Sequence, residues 1–434
     1  MNATLTEALV PIVTRAWTAE DRTAAAGRVL DWAGCAAAGR ATAEGAAFAA
    51  AMPGPDHPEA VASLFGSFGS LLEMDDVHKA ALLHPGPVII PAALSLAGEA
   101  SGTRLLDAIL GGYEAMIRLG RSVGPQHYAR FHNTSTCGGI GSAVAASIML
   151  GLPPERIVWA MGHAMSLSGG LWQCRNEPGA TKHLHVSEAA RRGVMAARAA
   201  AAGIAAPKAI LDGPQGFFAA LAPDGATEQV LADPEAQALL HSVSTKPWPA
   251  CRHIHPSIDA LLELRGRIAG RQIATVEVES YRDALVFCDR PDPQDTMAAL
   301  FSLQHAAAVV LTDGEPTLAA FERERLTDQR YATMRQRVRV AEDSEITARY
   351  PAHFGARARV RLADGSVFDA HVPDALGDPE NPIDSDGARK KFVAVTAWAG
   401  LSPDKAARLS EAIDALAADA PGARVREAML ELLR

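Results

Sequence analysis

The sequence predicts a mainly α protein: a large all-helical domain, a smaller α+β domain set into it, and C-terminal helices that return to the helical part. Three observations carry this. Residues 1–247 are rich in Ala, Leu and Gly, with apolar residues at helical spacing. Several segments beyond Lys246 instead alternate apolar and polar residues and carry β-branched types. Helical periodicity then returns over 388–434. The chain has 434 residues, 48% of them hydrophobic, ample for two domains; these are placed at 1–247 with 388–434, and at 248–387.

Taken in order, 22–39 is the first clear helical pattern, followed by 88–123, which an SGT turn breaks at Gly102. Then come 137–151 and 186–203, VSEAARRGVMAARAAAAG. Small residues on several faces of these helices imply close helix–helix packing. In the second domain IATVEVESY (273–281), MRQRVRVAEDSEI (334–346) and ARARVRLADGSVFDAHV (356–372) read as strands, with the ADG of 363–365 as a hairpin turn. Helical patterns at 296–312 and 315–325 lie between them, and 388–432 closes the chain as helix.

Composition excludes several classes. Net charge is −9, and no basic stripe is interleaved with aromatics, so no nucleic-acid partner is expected. No apolar run approaches the ~20 residues of a membrane-spanning helix, and the N-terminus lacks a signal-peptide pattern. The five cysteines are widely spaced without a CxxC pair, which suits buried thiols in a reducing cytoplasm. GxGxxG after a strand, GxxxxGK[ST] and GxSxG are all missing, so nucleotide and nicotinamide chemistry have no support.

Five stretches carry candidate chemistry. In EMDDVHKAALLHPG (73–86), Glu73, Asp75, Asp76, His78 and His84 crowd ionisable groups into an apolar context. They suit a metal site, a proton-transfer site or a solvated helix end, though the HExxH spacing of helical zinc sites is missing. Carboxylates beside histidines also shift each other's pKa, as acid–base chemistry needs. In RFHNTSTCGGI (130–140), His132 precedes hydroxyls and glycines at a helix start, a pattern for anion binding or plain capping. WQCRNEPGATKHLH (172–185) gathers Arg175, Lys182, His183 and His185; a lysine leading into an apolar helix can hold a carboxylate or, desolvated, act as a base. KPWPACRHIH (246–255) lies at the proposed domain junction with Arg252, His253 and His255, and CDRPDPQDTMAALFSLQH (288–305) adds His305.

In order, these stretches resemble the MmgE/PrpD family. The resemblance runs through EMDDVH…HPG, LLDAILGGYEAMIRLG (105–120), RFHNTSTCGGIGSAVAASIMLGL (130–152), SLSGGLWQC (166–174), TKHLHVSEAARRGVMAA (181–197), ILDGPQGFF (210–218), KPWPACRHIHPSIDA (246–260) and LFSLQHAAAVVLTDG (300–314). Any one motif is weak; the ordered set is specific and covers nearly the whole chain.

The resemblance implies a helical body with an α+β lid domain, a homodimer, an active site in the cleft between body and lid, and a reaction that needs no metal or organic cofactor. Family members include 2-methylcitrate dehydratase, cis-aconitate decarboxylase and iminodisuccinate epimerase, all of which move a proton at carbon next to a carboxylate. On that basis the function expected is a lyase, a dehydratase or decarboxylase of a small di- or tricarboxylate. A cofactor-independent epimerase and a non-catalytic carboxylate-binding homologue are the alternatives. His84, His132, Lys182 and His255 fall on the family's active-site positions, and Asp75 and Asp76 lie in its acidic motif. His132 or Lys182 is expected to move the α-proton, with Arg175, Lys182 and Arg252 holding carboxylates. His84 and His255 would serve the leaving group, oriented by Asp75 or Asp76, while Glu73, His78 and His305 would border the substrate. The chain departs from the family's D-x-D-D-T-H at Glu73 and Val77, and has His305 where decarboxylase-type members carry a tyrosine.

Overall fold

In a computed structural model the described residues are 3–52, 54–177, 179–268 and 270–433. They are mainly helical, with one four-stranded sheet. They form two compact units: 1–71, 75–243 and 388–434 make up the first, and 72–74 with 244–387 the second.

The first unit is built on helices Gly102–Gly120, Asn133–Met149 and Thr181–Ala201. Nearly every residue of Asn133–Met149 is buried, so this helix is enclosed on all sides. Small residues make that possible. A Cβ on Gly141 would lie 2.6 Å from the Gly112 carbonyl oxygen, and one on Gly193 2.1 Å from Ser142 Oγ, so the backbones touch where no other residue fits. Helix starts follow their caps. Thr4 with Glu7 and Thr18 with Asp21 form capping boxes, and the Ser101 hydroxyl accepts from Arg104 N–H.

Buried ion pairs tie distant segments to this body. Arg118 pairs with Glu114 at 2.7 Å and donates to the carbonyls of Val230, Ala232 and Asp233, while Glu114 accepts from Leu239 N–H. That one pair anchors the whole 230–239 stretch. Lys391 meets Asp31 at 2.6 Å with both side chains buried, holding helix Ser385–Trp398 to helix Ala19–Arg40.

The second unit contains strands β1 (Ile273–Ser280), β2 (Val338–Glu342), β3 (Ala356–Leu362) and β4 (Val367–Val372) in the order β2-β1-β3-β4. β1 pairs parallel with β2 and antiparallel with β3, and β3 and β4 form the hairpin, turning through Gly365 at φ 87°. Alternating burial along β3 turns one face to helices His255–Ile268 and Leu303–Thr312, which close the core with Val276, Val278, Val360 and Leu264.

Two local readings are corrected. Residues 334–346 are not one strand: helix Gln329–Arg335 runs into the segment and only Val338–Glu342 pairs. The 315–325 pattern gives only the 3-10 turn Leu318–Phe321 and the single turn Arg323–Leu326. All five cysteines are free thiols, and among the described residues no helix is long and apolar enough to cross a membrane.

Candidate active site

Residues 71–85, all but 72–74 in the first unit, form no regular element, and the crowded carboxylates and histidines lie here, almost all buried. Asp75 Oδ2 is 2.8 Å from His84 Nδ1. Asp76 accepts from Gly86 N–H at 2.8 Å and from the Tyr113 hydroxyl at 2.7 Å. Burial raises the Asp76 pKa to about 6, against the opposing pull of the Arg28 charge and these two hydrogen bonds. His78 is held on both sides. Ala81 N–H donates to Nδ1 at 3.0 Å, so Nε2 carries the proton toward Ser242 Oγ at 3.1 Å. Burial, with the Arg121 and Lys79 charges, lowers its pKa to about 3; it is a neutral, structural imidazole. The segment is fixed to the start of helix Asn133–Met149: His84 N–H donates to Thr134 Oγ1, and Asn133 Nδ2 donates to the Ala81 carbonyl.

His132 occupies the N-cap of that helix and is buried. Two short backbone runs cross beside it: His132 N–H donates to the Gly170 carbonyl, Trp172 N–H donates to the Arg130 carbonyl, and Phe131 bridges Leu171. The crossing needs glycine, because a Cβ on Gly170 (φ 120°) would lie 2.5 Å from Ser135. It lays the Trp172 indole flat on the His132 ring, centroids 4.4 Å apart. The His185 ring lies 5.6 Å from that of His132 and is tilted to it. Buried Arg192 secures the surroundings by donating to the Ser135 and Leu167 carbonyls.

Beside this group is a cavity of about 600 Å³, lined by Ser135, Gly170, Cys174, Thr181, His185 and Arg192 among others. Lys182 is half-buried in the first turn of helix Thr181–Ala201, so 181–185 is helix rather than the loop its turn-forming neighbours suggested. Arg175 is exposed, its guanidinium 6.0 Å over the Trp172 ring.

The second unit holds its candidates differently. Arg252 meets Asp378 at 2.5 Å and donates to the Leu376 and Ala375 carbonyls. It also contacts His255 Nδ1 at 3.1 Å, and since guanidinium only donates, His255 directs its Nε2–H to the Ala250 carbonyl. His305 repeats the arrangement, with Nε2 on the Ala320 carbonyl at 2.9 Å and Nδ1 facing Arg335. Burial, with the Arg335 charge, lowers its pKa to about 4. Glu73, at φ 52°, gives its carbonyl and carboxylate to Lys246 Nζ at 2.9 and 3.4 Å. Lys246 is fully buried, a cation that sequence reading passed over because its partner lies 173 residues away. Among the described residues, His353, Asp374 and Glu380 are a group whose ligand atoms lie close enough to share a metal; His353 Nδ1 already bonds Asp374 at 2.8 Å.

A close-packed helical unit bearing a histidine-lined cavity, with a separate unit on a four-stranded sheet, defines a mainly α protein of two-part build. The chain belongs to the MmgE/PrpD family: the family's N-terminal domain matches residues 5–229 and its C-terminal domain residues 248–418. It is 28% identical over 366 residues to a cis-aconitate decarboxylase-like protein of Aspergillus oryzae, covering 77% of this chain and 75% of that one. It is 26% identical to the cis-aconitate decarboxylases of Mus musculus and Homo sapiens, in each case over 74% of this chain, and over 68% and 69% of theirs.

Proposed function

We propose that this protein is a lyase that cleaves a bond next to a carboxylate of a small di- or tricarboxylate, using side-chain acid–base groups for the proton it moves. Supporting the reading is the grouping of His132 and Trp172 with His185, which lines a cavity large enough for such a substrate, in a chain related over about three quarters of its length to cis-aconitate decarboxylases. A carboxylate's neighbouring carbon gains or loses a proton only if charge developing there is met by a positioned group, and an imidazole is suited to that near neutral pH. Lys182 supplies a cation in the same helix turn as His185.

Proton NMR of the purified protein in D₂O with cis-aconitate and a panel of other di- and tricarboxylates tests this. Loss of CO₂ or water, with the matching change in alkene signals, is the expected result. Deuterium entering an α-carbon with no net bond cleavage would replace the lyase by an epimerase.

A further inference from the structure

We propose that His185, which lines the cavity of the first unit, works with the buried His132 beside it as a two-imidazole proton-transfer pair for the small carboxylate substrate taken there; this rests on the lyase reading above. The two rings are 5.6 Å apart, and Trp172 stacks on His132, leaving the pair oriented by the indole and by the start of helix Thr181–Ala201. His185 lines the cavity, whereas His127, His183 and His241 bond to a Leu221 carbonyl, Ser70 and Asp21.

The state of His185 is what points to a ligand. Its Nδ1 is buried and has no hydrogen-bond partner among the described residues. A buried polar atom left so is costly, and His127, His183 and His241 have the partners named above. A turn of the imidazole that brings Nδ1 to a substrate oxygen in the adjoining cavity would satisfy it. Burial lowers the pKa of His185, so at neutral pH it is an imidazole able to accept a proton. The ionisable groups around it are Cys174 and Glu177 from the loop, Glu188 and Arg192 from its own helix, and His132 against its ring.

Like charges so close discourage double protonation of the two rings. In decarboxylation the bond from carbon to the departing carboxylate breaks, its electron pair stays on carbon and CO₂ leaves. Carbon then takes the proton from the pair, which solvent refills. A pair active only when singly protonated gives a two-limbed pH–rate profile; one imidazole alone gives a single limb.

The test is His185→Gln beside the parent protein, assayed on cis-aconitate from pH 5 to 9, with thermal unfolding and with ring signals of ¹⁵N-histidine-labelled protein. The expected result is a loss of ~10²-fold in kcat and of one limb of the profile, with unfolding close to the parent's. Turnover within threefold of the parent, or a loss that keeps both limbs and tracks lowered stability, overturns the pair. Should the parent turn over nothing, ring shifts of His132 and His185 on adding cis-aconitate would preserve the binding site while removing the lyase reading. Unmoved rings in an inactive parent would overturn both.

Discussion

The buried ionisable groups of the two units are finished to different degrees. In the second unit they close on one another: Lys246 on Glu73, Arg252 on Asp378 and His255, Arg335 on His305. The first unit has closed sets too, such as Glu114–Arg118 and Lys391–Asp31. Elsewhere in it, though, burial pushes Asp76 toward neutrality, and at the cavity His185 keeps an unsatisfied nitrogen. A histidine held between a guanidinium and a backbone carbonyl has its tautomer fixed. The count of ionisable residues in a motif therefore says less about chemistry than whether each has a protein partner.

Four substitutions would break or sharpen that contrast. Lys246→Met removes the ammonium that the Glu73 carboxylate meets in the interior, and urea unfolding should show a loss of ~3–5 kcal/mol; a loss below about 1 kcal/mol would mean that the pair is not closed. His305 comes next. Its folded pKa is about 4 against 6.5 unfolded, so the unfolded chain takes up a proton first and stability falls as pH drops from 6.5 to 4, by about 3 kcal/mol in all. His305→Gln, which keeps a donor and an acceptor, should flatten that acid limb in unfolding measured at several pH values. An unchanged slope would place the acid sensitivity elsewhere. Third, His132→Gln should lower turnover by ~10²-fold, equivalent to about 2.7 kcal/mol, with unfolding unaltered. His255→Gln should do the reverse, costing stability more than rate, and the opposite pattern would invert the assignment of the two units.

Much of the helical scaffold was legible because its cause is local. Small residues at helical spacing mark 137–151 and 186–203, and the structure forms Asn133–Met149 and Thr181–Ala201 there. The 363–365 turn was equally plain, since a hairpin there needs a residue such as Gly365 at positive φ. The parallel partnership of β1 and β2 was not, because nothing local records which strand lies beside which. At the candidate site, His132 stood out by its hydroxyl- and glycine-rich context, but its Trp172 platform depends on a crossing of residues 130–132 with 170–172 that no periodicity encodes. His255 and His305 carried the same sequence signal as His132; only their partners, Arg252 and the Ala250 carbonyl, Arg335 and the Ala320 carbonyl, distinguish them.

The three-residue excursion of Leu72–Met74 into the second unit has a practical consequence. Glu73 reaches Lys246 from a stretch that sequence order assigns wholly to the other unit. A fragment comprising 244–387 alone would therefore lack the carbonyl and carboxylate that Glu73 gives to the Lys246 ammonium. Such a fragment is predicted to be less stable than the same unit in the full chain, and supplying a short peptide spanning 72–74 in trans offers a way to rescue it.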